Sequence, residues 1–118
     1  MAAEKITIYQ KPTCSTCRSV YKALVEMKVD FDVVDYYIEP LSKARLKSLL
    51  KKMGAQAKDI IRTKEPIYKE LGIASKELSN DDLIDLMVQY PDLIQRPIVE
   101  KGERAILARP AERLKELF

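Results

Sequence analysis

Ile6-Thr7-Ile8-Tyr9-Gln10-Lys11-Pro12-Thr13-Cys14-Ser15-Thr16-Cys17-Arg18 decides how this chain is read. Residues 5–9 alternate and are β-branched, which predicts a strand. Beyond the cysteines, Val20, Tyr21, Leu24 and Met27 recur at helical spacing, which predicts a helix over 17–28 with these four on one face. A strand therefore delivers Cys14 to a loop, and a helix starts at or just after it. The first N–H groups of a helix are unpaired and carry partial positive charge. A thiol held there loses its proton more readily, and the thiolate is the nucleophile. The stretch reads as a reactive cysteine with a second thiol three residues on.

Counting removes other readings of the pair. A structural zinc site needs about four Cys or His ligands, and this chain has two Cys and no His. Covalent haem attachment needs a His directly after the second Cys, where Arg18 stands. A disulfide framework in so small a chain needs more bridges. With no imidazole anywhere, a Cys–His protease is excluded. Activation of Cys14 must come from helix N–H groups, arginine, lysine or neutral donors.

A chain of 118 residues is expected to form one domain, 1–118, with one core. At 47% apolar and 33% charged it reads as soluble and globular. The net charge of +3 is too small for the concentrated basic stripe of a nucleic-acid binder, so no DNA contact is expected. Lys43, Arg45, Lys47, Lys51 and Lys52 read instead as the solvated face of a helix. Met1-Ala2-Ala3-Glu4-Lys5 lacks a signal-peptide core, and no segment approaches a bilayer span of about 20 apolar residues. The expectation is a cytoplasmic monomer without membrane contact, where a close thiol pair serves catalysis or redox chemistry.

Phe31 to Tyr36 predicts a second strand, completing a right-handed βαβ unit with parallel strands. A helical stretch follows. Ser42 caps a helix over 43–53 carrying Leu46, Leu49, Leu50 and Met53, and Gly54 stops it. Residues 56–61 form a short helical turn. Pro66 opens a helix that ends before Gly72. Ser79-Asn80-Asp81-Asp82 starts another helix to about Gln89, with Leu83, Leu86 and Met87 inward. Residues 97–100 and 104–107 are short strands joined at Lys101-Gly102-Glu103 as a hairpin. A helix over 111–118 closes the chain, with no tail expected beyond it. The class is α/β, in the order β-α-β, helical insertion, β-β-α.

A reactive Cys pair between the first strand and first helix, in that order of elements, resembles the thioredoxin-like (glutaredoxin-like) fold. Lys11-Pro12-Thr13-Cys14-Ser15-Thr16-Cys17-Arg18, Ile61-Arg62-Thr63-Lys64-Glu65-Pro66-Ile67-Tyr68, Gln95-Arg96-Pro97-Ile98 and Ala108-Arg109-Pro110 sharpen the match. Together they resemble the glutaredoxin-type arsenate reductases and their Spx-like relatives, over nearly the whole chain. The resemblance implies that Cys14 is the nucleophile and that Arg62, Arg96 and Arg109 form an oxyanion pocket. Arginine suits that task because its planar fork donates in pairs and stays charged. It also implies arsenate or another oxyanion as substrate, no tightly bound cofactor or metal, glutathione as co-substrate, and glutaredoxin or thioredoxin as electron source. A cis Pro97 facing the cysteine loop is a further implication.

Two positions depart from the family pattern. A histidine commonly stands four residues before the catalytic cysteine, with asparagine next; here these are Gln10 and Lys11. Cys17 stands where many such reductases carry serine. Thiols at i and i+3 on a first helical turn are close enough to form a disulfide. Cys17 thus reads as a resolving thiol or a redox switch. A general thiol–disulfide oxidoreductase and an Spx-like regulator that binds RNA polymerase remain alternatives.

Overall fold

β1 (Ile6–Gln10) is the strand on which the sheet is built, and all five of its residues are buried. The structure, a computed structural model, describes residues 5–11 and 13–118. Residues 1–4, read above as lacking a signal core, and Pro12 of the cysteine motif lie outside the described residues. The chain divides into two compact units. One takes in the described residues up to Glu39 together with Arg96–Phe118, and the other spans Pro40–Gln95.

In the first unit, α1 (Ser15–Glu26) links β1 to β2 (Asp32–Asp35), and β3 (Ile98–Lys101) turns back through β4 (Arg104–Leu107). The sheet order is β2-β1-β3-β4. β2 runs parallel to β1, while β3 is antiparallel to both β1 and β4. The parallel βαβ unit and the hairpin are as the sequence predicts. Gly102 adopts φ 58 at the hairpin tip, where a primed turn favours a residue free to take positive φ. On one sheet face Ile6, Ile8 and Val99 pack with Val20 and Leu24 of α1 and with Leu114 and Leu117. Burial of each such side chain contributes on the order of 1.5–3 kcal/mol. On the other face the buried Tyr9 hydroxyl donates to Glu100 Oε1 at 2.8 Å, which answers the desolvation of both groups.

Two expectations for this unit need correction. Tyr21 and Met27 are not inward: they are 43% and 40% exposed, and Cys17 completes the buried stripe with Val20 and Leu24. The sheet covers a narrower arc of α1 than the apolar spacing suggests. Tyr21 is instead covered from the side by Phe31, edge to face at 5.3 Å. Ala111–Leu117 closes the chain as a 3₁₀ helix rather than an α-helix.

The second unit contains α2 (Lys43–Met53), α3 (Ala57–Ile60), α4 (Pro66–Glu70) and α5 (Asn80–Gln89). Ser42 Oγ accepts from the Arg45 N–H at 3.0 Å, and Gly54 ends α2 at φ 66 in the left-handed region. Ser79 and Asp82 form a reciprocal capping box on α5. The side chain of Asn80 reaches back to accept the Ala57 N–H at 2.8 Å, joining α5 to the start of α3. On α5 the buried residues are Ile84 and Met87, with Leu83 and Leu86 only partly covered. Lys43 and Lys47 pair with Asp85 and Asp81 at 2.9 and 3.1 Å. These exposed pairs contribute little each. A short bridge between Ile61 and Ile94 holds the segment that leads into Arg62.

Candidate active site

The register of the first unit brings several chain ends to one end of its sheet. Tyr9 pairs with Ile98, and Ile98 with Leu107. The exit of β1, the entry of β3 and the exit of β4 therefore lie side by side. β2 is parallel to β1, with Gln10 opposite Asp35, so its exit adds Tyr36 and Tyr37 at the same end. The chain leaves β1 into the Cys14 loop, enters β3 through Arg96 and leaves β4 into Arg109. Ala108 N–H donates to the Pro97 carbonyl at 2.9 Å, which carries the ladder one step beyond the strands towards both arginines. The Arg96–Pro97 peptide is cis, as the resemblance implies, and so is Arg109–Pro110, which nothing in the sequence marked.

Cys14 is the N-cap of α1, in extended backbone at φ −81, ψ 124. Its Sγ accepts the Cys17 N–H at 3.3 Å. Its own N–H donates to the Lys11 carbonyl at 3.0 Å, closing the turn that leads from β1. Burial of this half-covered thiol works against ionisation. Hydrogen bonds from the Cys17 thiol and N–H, the charge of Arg96 and the Thr16 N–H outweigh it, and Cys14 is held below the ordinary thiol value. Cys17, fully buried one turn inside, is pushed from 9.0 up to about 12, first by burial and then by its hydrogen bond to Cys14. The two thiols are thus shifted in opposite directions, Cys14 towards easier ionisation and Cys17 towards keeping its proton.

Arg96 is buried, and among the described residues its Nε and Nη1 find no hydrogen-bond partner. A desolvated guanidinium with idle donors costs several kcal/mol unless anions balance it. Burial disfavours its charge, but the phenols of Tyr36 and Tyr37 and the Cys14 sulfur restore it, so its proton is held more tightly than usual. Tyr36 is buried and stacks on Tyr37 at 5.1 Å, while Lys11 Nζ sits 4.7 Å from the Tyr37 ring centroid. Gln10, at the exit of β1, is buried with its Oε1 unpartnered among the described residues.

Arg109 Nη1 donates to Thr16 Oγ1 at 3.3 Å, which ties it to the first turn of α1. Arg62 belongs to the second unit. There its N–H donates to the Leu93 carbonyl at 2.7 Å, and its Nε donates to Glu65 at 2.8 Å in a partly buried pair. The structure therefore gathers Cys14, Cys17, Arg96 and Arg109 at one sheet end. Sequence reasoning passed over Tyr36, Tyr37 and Thr16. The signal for the two tyrosines was their place just past the C-terminal end of a parallel strand, where open α/β sheets hold ligands. Among the described residues, no group of three or more His, Cys, Asp or Glu side chains is placed to hold a metal. Among them, too, no helix is long and apolar enough to cross a membrane.

A helix-capping thiol beside a buried guanidinium, on a mixed sheet of this order, defines a thiol-based protein of thioredoxin-like fold. Residues 9–117 match the ArsC family, and the chain belongs to that family. An arsenate reductase of Neisseria meningitidis is 35% identical over 115 residues, covering 97% of this chain and 98% of the relative. The global transcriptional regulator Spx of Streptococcus pyogenes is 36% identical over 99 residues, covering 84% of this chain and 74% of the relative. The solved arsenate reductase of Vibrio cholerae overlays with a TM-score of 0.93 at 33% identity, covering 99% of this chain and all of that one.

The two thiols should separate by pH. Iodoacetamide should modify Cys14 at a lower pH than an ordinary thiol, while Cys17 reacts only after denaturation. Alkylation rate against pH in the two single Cys→Ser variants measures this; faster reaction at about pH 6 by the chain that retains only Cys17 reverses the assignment. Stability follows the same shifts. The lowered Cys14 contributes stability that is lost as pH falls through its folded value, and the raised Cys17 contributes stability that is lost as pH rises from 9.0 towards 12.

Proposed function

We propose that this chain is a cytoplasmic, glutathione-linked arsenate-reductase-like enzyme, with Cys14 as nucleophile and Arg62, Arg96 and Arg109 as its oxyanion site. The observation that carries the reading is the buried guanidinium of Arg96, whose Nε and Nη1 have no partner among the described residues and whose charge acts on a helix-capping thiol. An oxyanion at Cys14 supplies the acceptors that Nε and Nη1 lack. Because those donors are already stripped of water, little further desolvation opposes the pairing. The family's named arsenate reductases support the substrate class.

The chemistry runs in two steps. Cys14 thiolate attacks arsenic, an S–As bond forms, and one arsenic oxygen leaves as water with arsenic still pentavalent. A second thiol, from glutathione or Cys17, then attacks the Cys14 sulfur. An S–S bond forms as the S–As bond breaks, its electron pair stays on arsenic, and trivalent arsenite departs. Glutaredoxin returns the disulfide to thiols. Arsenate and two thiols thus become arsenite, one disulfide and water.

NADPH-coupled turnover with arsenate tests this, with glutathione plus glutaredoxin in one assay and thioredoxin in another. Turnover dependent on arsenate and on glutathione is the expected result. Turnover with thioredoxin alone moves the donor assignment. Reduction of disulfide substrates with no arsenate turnover makes the chain a general thiol oxidoreductase. Redox-dependent binding to RNA polymerase without turnover of either kind makes it an Spx-like regulator.

A further inference from the structure

The reduced Cys14–Cys17 pair has a chemistry that electron transfer does not use up. Two thiols lie at the cap and first turn of one helix, joined through the Cys17 N–H to Cys14 Sγ contact of 3.3 Å. A disulfide requires the sulfurs to close to about 2.05 Å; an atom bridging them asks for less approach. No third Cys, His, Asp or Glu joins them into a metal-holding cluster among the described residues. Zinc asks for about four ligands, so this pair disfavours it. A thiophile that is content with two sulfurs and one further ligand is what two isolated thiols select.

We propose that reduced Cys14 and Cys17 together form a chelating site for trivalent arsenic, so that arsenite binds back to the thiols. The inference rests on the proposed reaction only for the source of the arsenite. Cys14 thiolate displaces one hydroxyl of arsenous acid, which leaves as water with a proton taken from solvent. Cys17 displaces a second, its proton leaving with that hydroxyl as water, so Cys17 never has to exist as a free thiolate. Two S–As bonds form, two As–O bonds break, two waters are released, and arsenic stays trivalent. No oxidant or reductant is needed. The second bond forms within one molecule, where the effective thiol concentration is high, so the pair outbinds either thiol alone.

The site also separates product from substrate. Arsenate is an anion and needs the arginines. Arsenous acid is uncharged near neutrality and needs the sulfurs. The remaining position on arsenic stays open to water or an external thiol such as glutathione, which offers a route for release. Oxidation of the pair to a disulfide removes the site.

Arsenite titration of the fully reduced chain tests the proposal, read by intact mass, near-ultraviolet S–As absorption and free-thiol count. The expected result is one arsenic per chain with two thiols consumed, and no binding after oxidation. Cys17→Ser should weaken binding about a hundredfold or more, whereas Arg96→Ala should change it far less. Consumption of one thiol per arsenic, arsenic that links two chains, or Cys17→Ser binding as tightly as the unaltered chain overturns the site. If Cys17→Ser does not fold, the thiol count on the unaltered chain still decides. Arsenite chelation without arsenate turnover removes the proposed reaction but leaves this site standing; turnover without chelation does the reverse.

Discussion

Cys14→Ser should abolish arsenate turnover, by roughly 10⁴-fold or more, with the fold intact. Serine is among the best N-cap residues, and its oxygen can take the Cys17 N–H that Cys14 Sγ now accepts at 3.3 Å. The helix start is therefore preserved and the loss is chemical. A hydroxyl at this position stays protonated where the thiol ionises, so no nucleophile remains; removal of a nucleophile elsewhere costs up to about 10⁶ in rate. Coupled turnover together with a thermal melt separates the two effects. A melt within a few degrees of the parent and no turnover is the expected pair of results. Retained turnover would transfer the nucleophile's role to another group. Cys17→Ser should have a far smaller effect when glutathione is abundant, since an external thiol can make the second attack.

Arg96→Ala should weaken oxyanion binding by about tenfold to a hundredfold, since a hydrogen bond to a charged group contributes about 1.5–3 kcal/mol. It should also raise the pH at which Cys14 reacts, because the Arg96 charge is one of the causes that hold that thiol low. Both changes come from one substitution, and that coupling is the sharper signature. Lysine at this position should recover the shift in Cys14 better than the binding, since it restores charge without the paired donors. Protection of Cys14 from iodoacetamide by sulfate, phosphate or arsenate measures binding, and the pH profile of the same reaction measures the field. If Arg96→Ala leaves both unchanged, the buried guanidinium serves packing and not the anion site. Loss of the Arg96 charge also leaves the buried Tyr36 hydroxyl without its neighbouring cation, so some loss of stability is expected alongside.

Much of the molecule could be read locally. Strong punctuation placed the elements: Ser42 and Gly54 around α2, Ser79 and Asp82 at the head of α5, Gly102 in the hairpin. Each of these acts through bonds within a few residues of itself, which is why sequence alone suffices. Cys14 at a helix start is of the same kind, since strand, loop and helix are contiguous there. The side-chain face of α1 was harder. Val20, Tyr21, Leu24 and Met27 are all apolar and all near one another on the helix, yet only Val20 and Leu24 are fully buried. The arc that gets covered depends on what packs against it, and the packing partners Ile8, Val99, Leu114 and Leu117 come from both ends of the chain.

By itself the sequence determined the order of elements, the caps, the place of Cys14 at a helix start and, through its spaced motifs, the family. Only the tertiary structure decided which distant groups meet Cys14. Tyr36 and Arg96 lie far apart along the chain and are joined by strand register, because a parallel β2 and an antiparallel β3 bring their ends to the exit of β1. At that end Arg96 is buried, and two of its donors find no partner among the described residues. Burial and missing partners are properties of surroundings, and a chain written as letters carries the residue but not what closes around it.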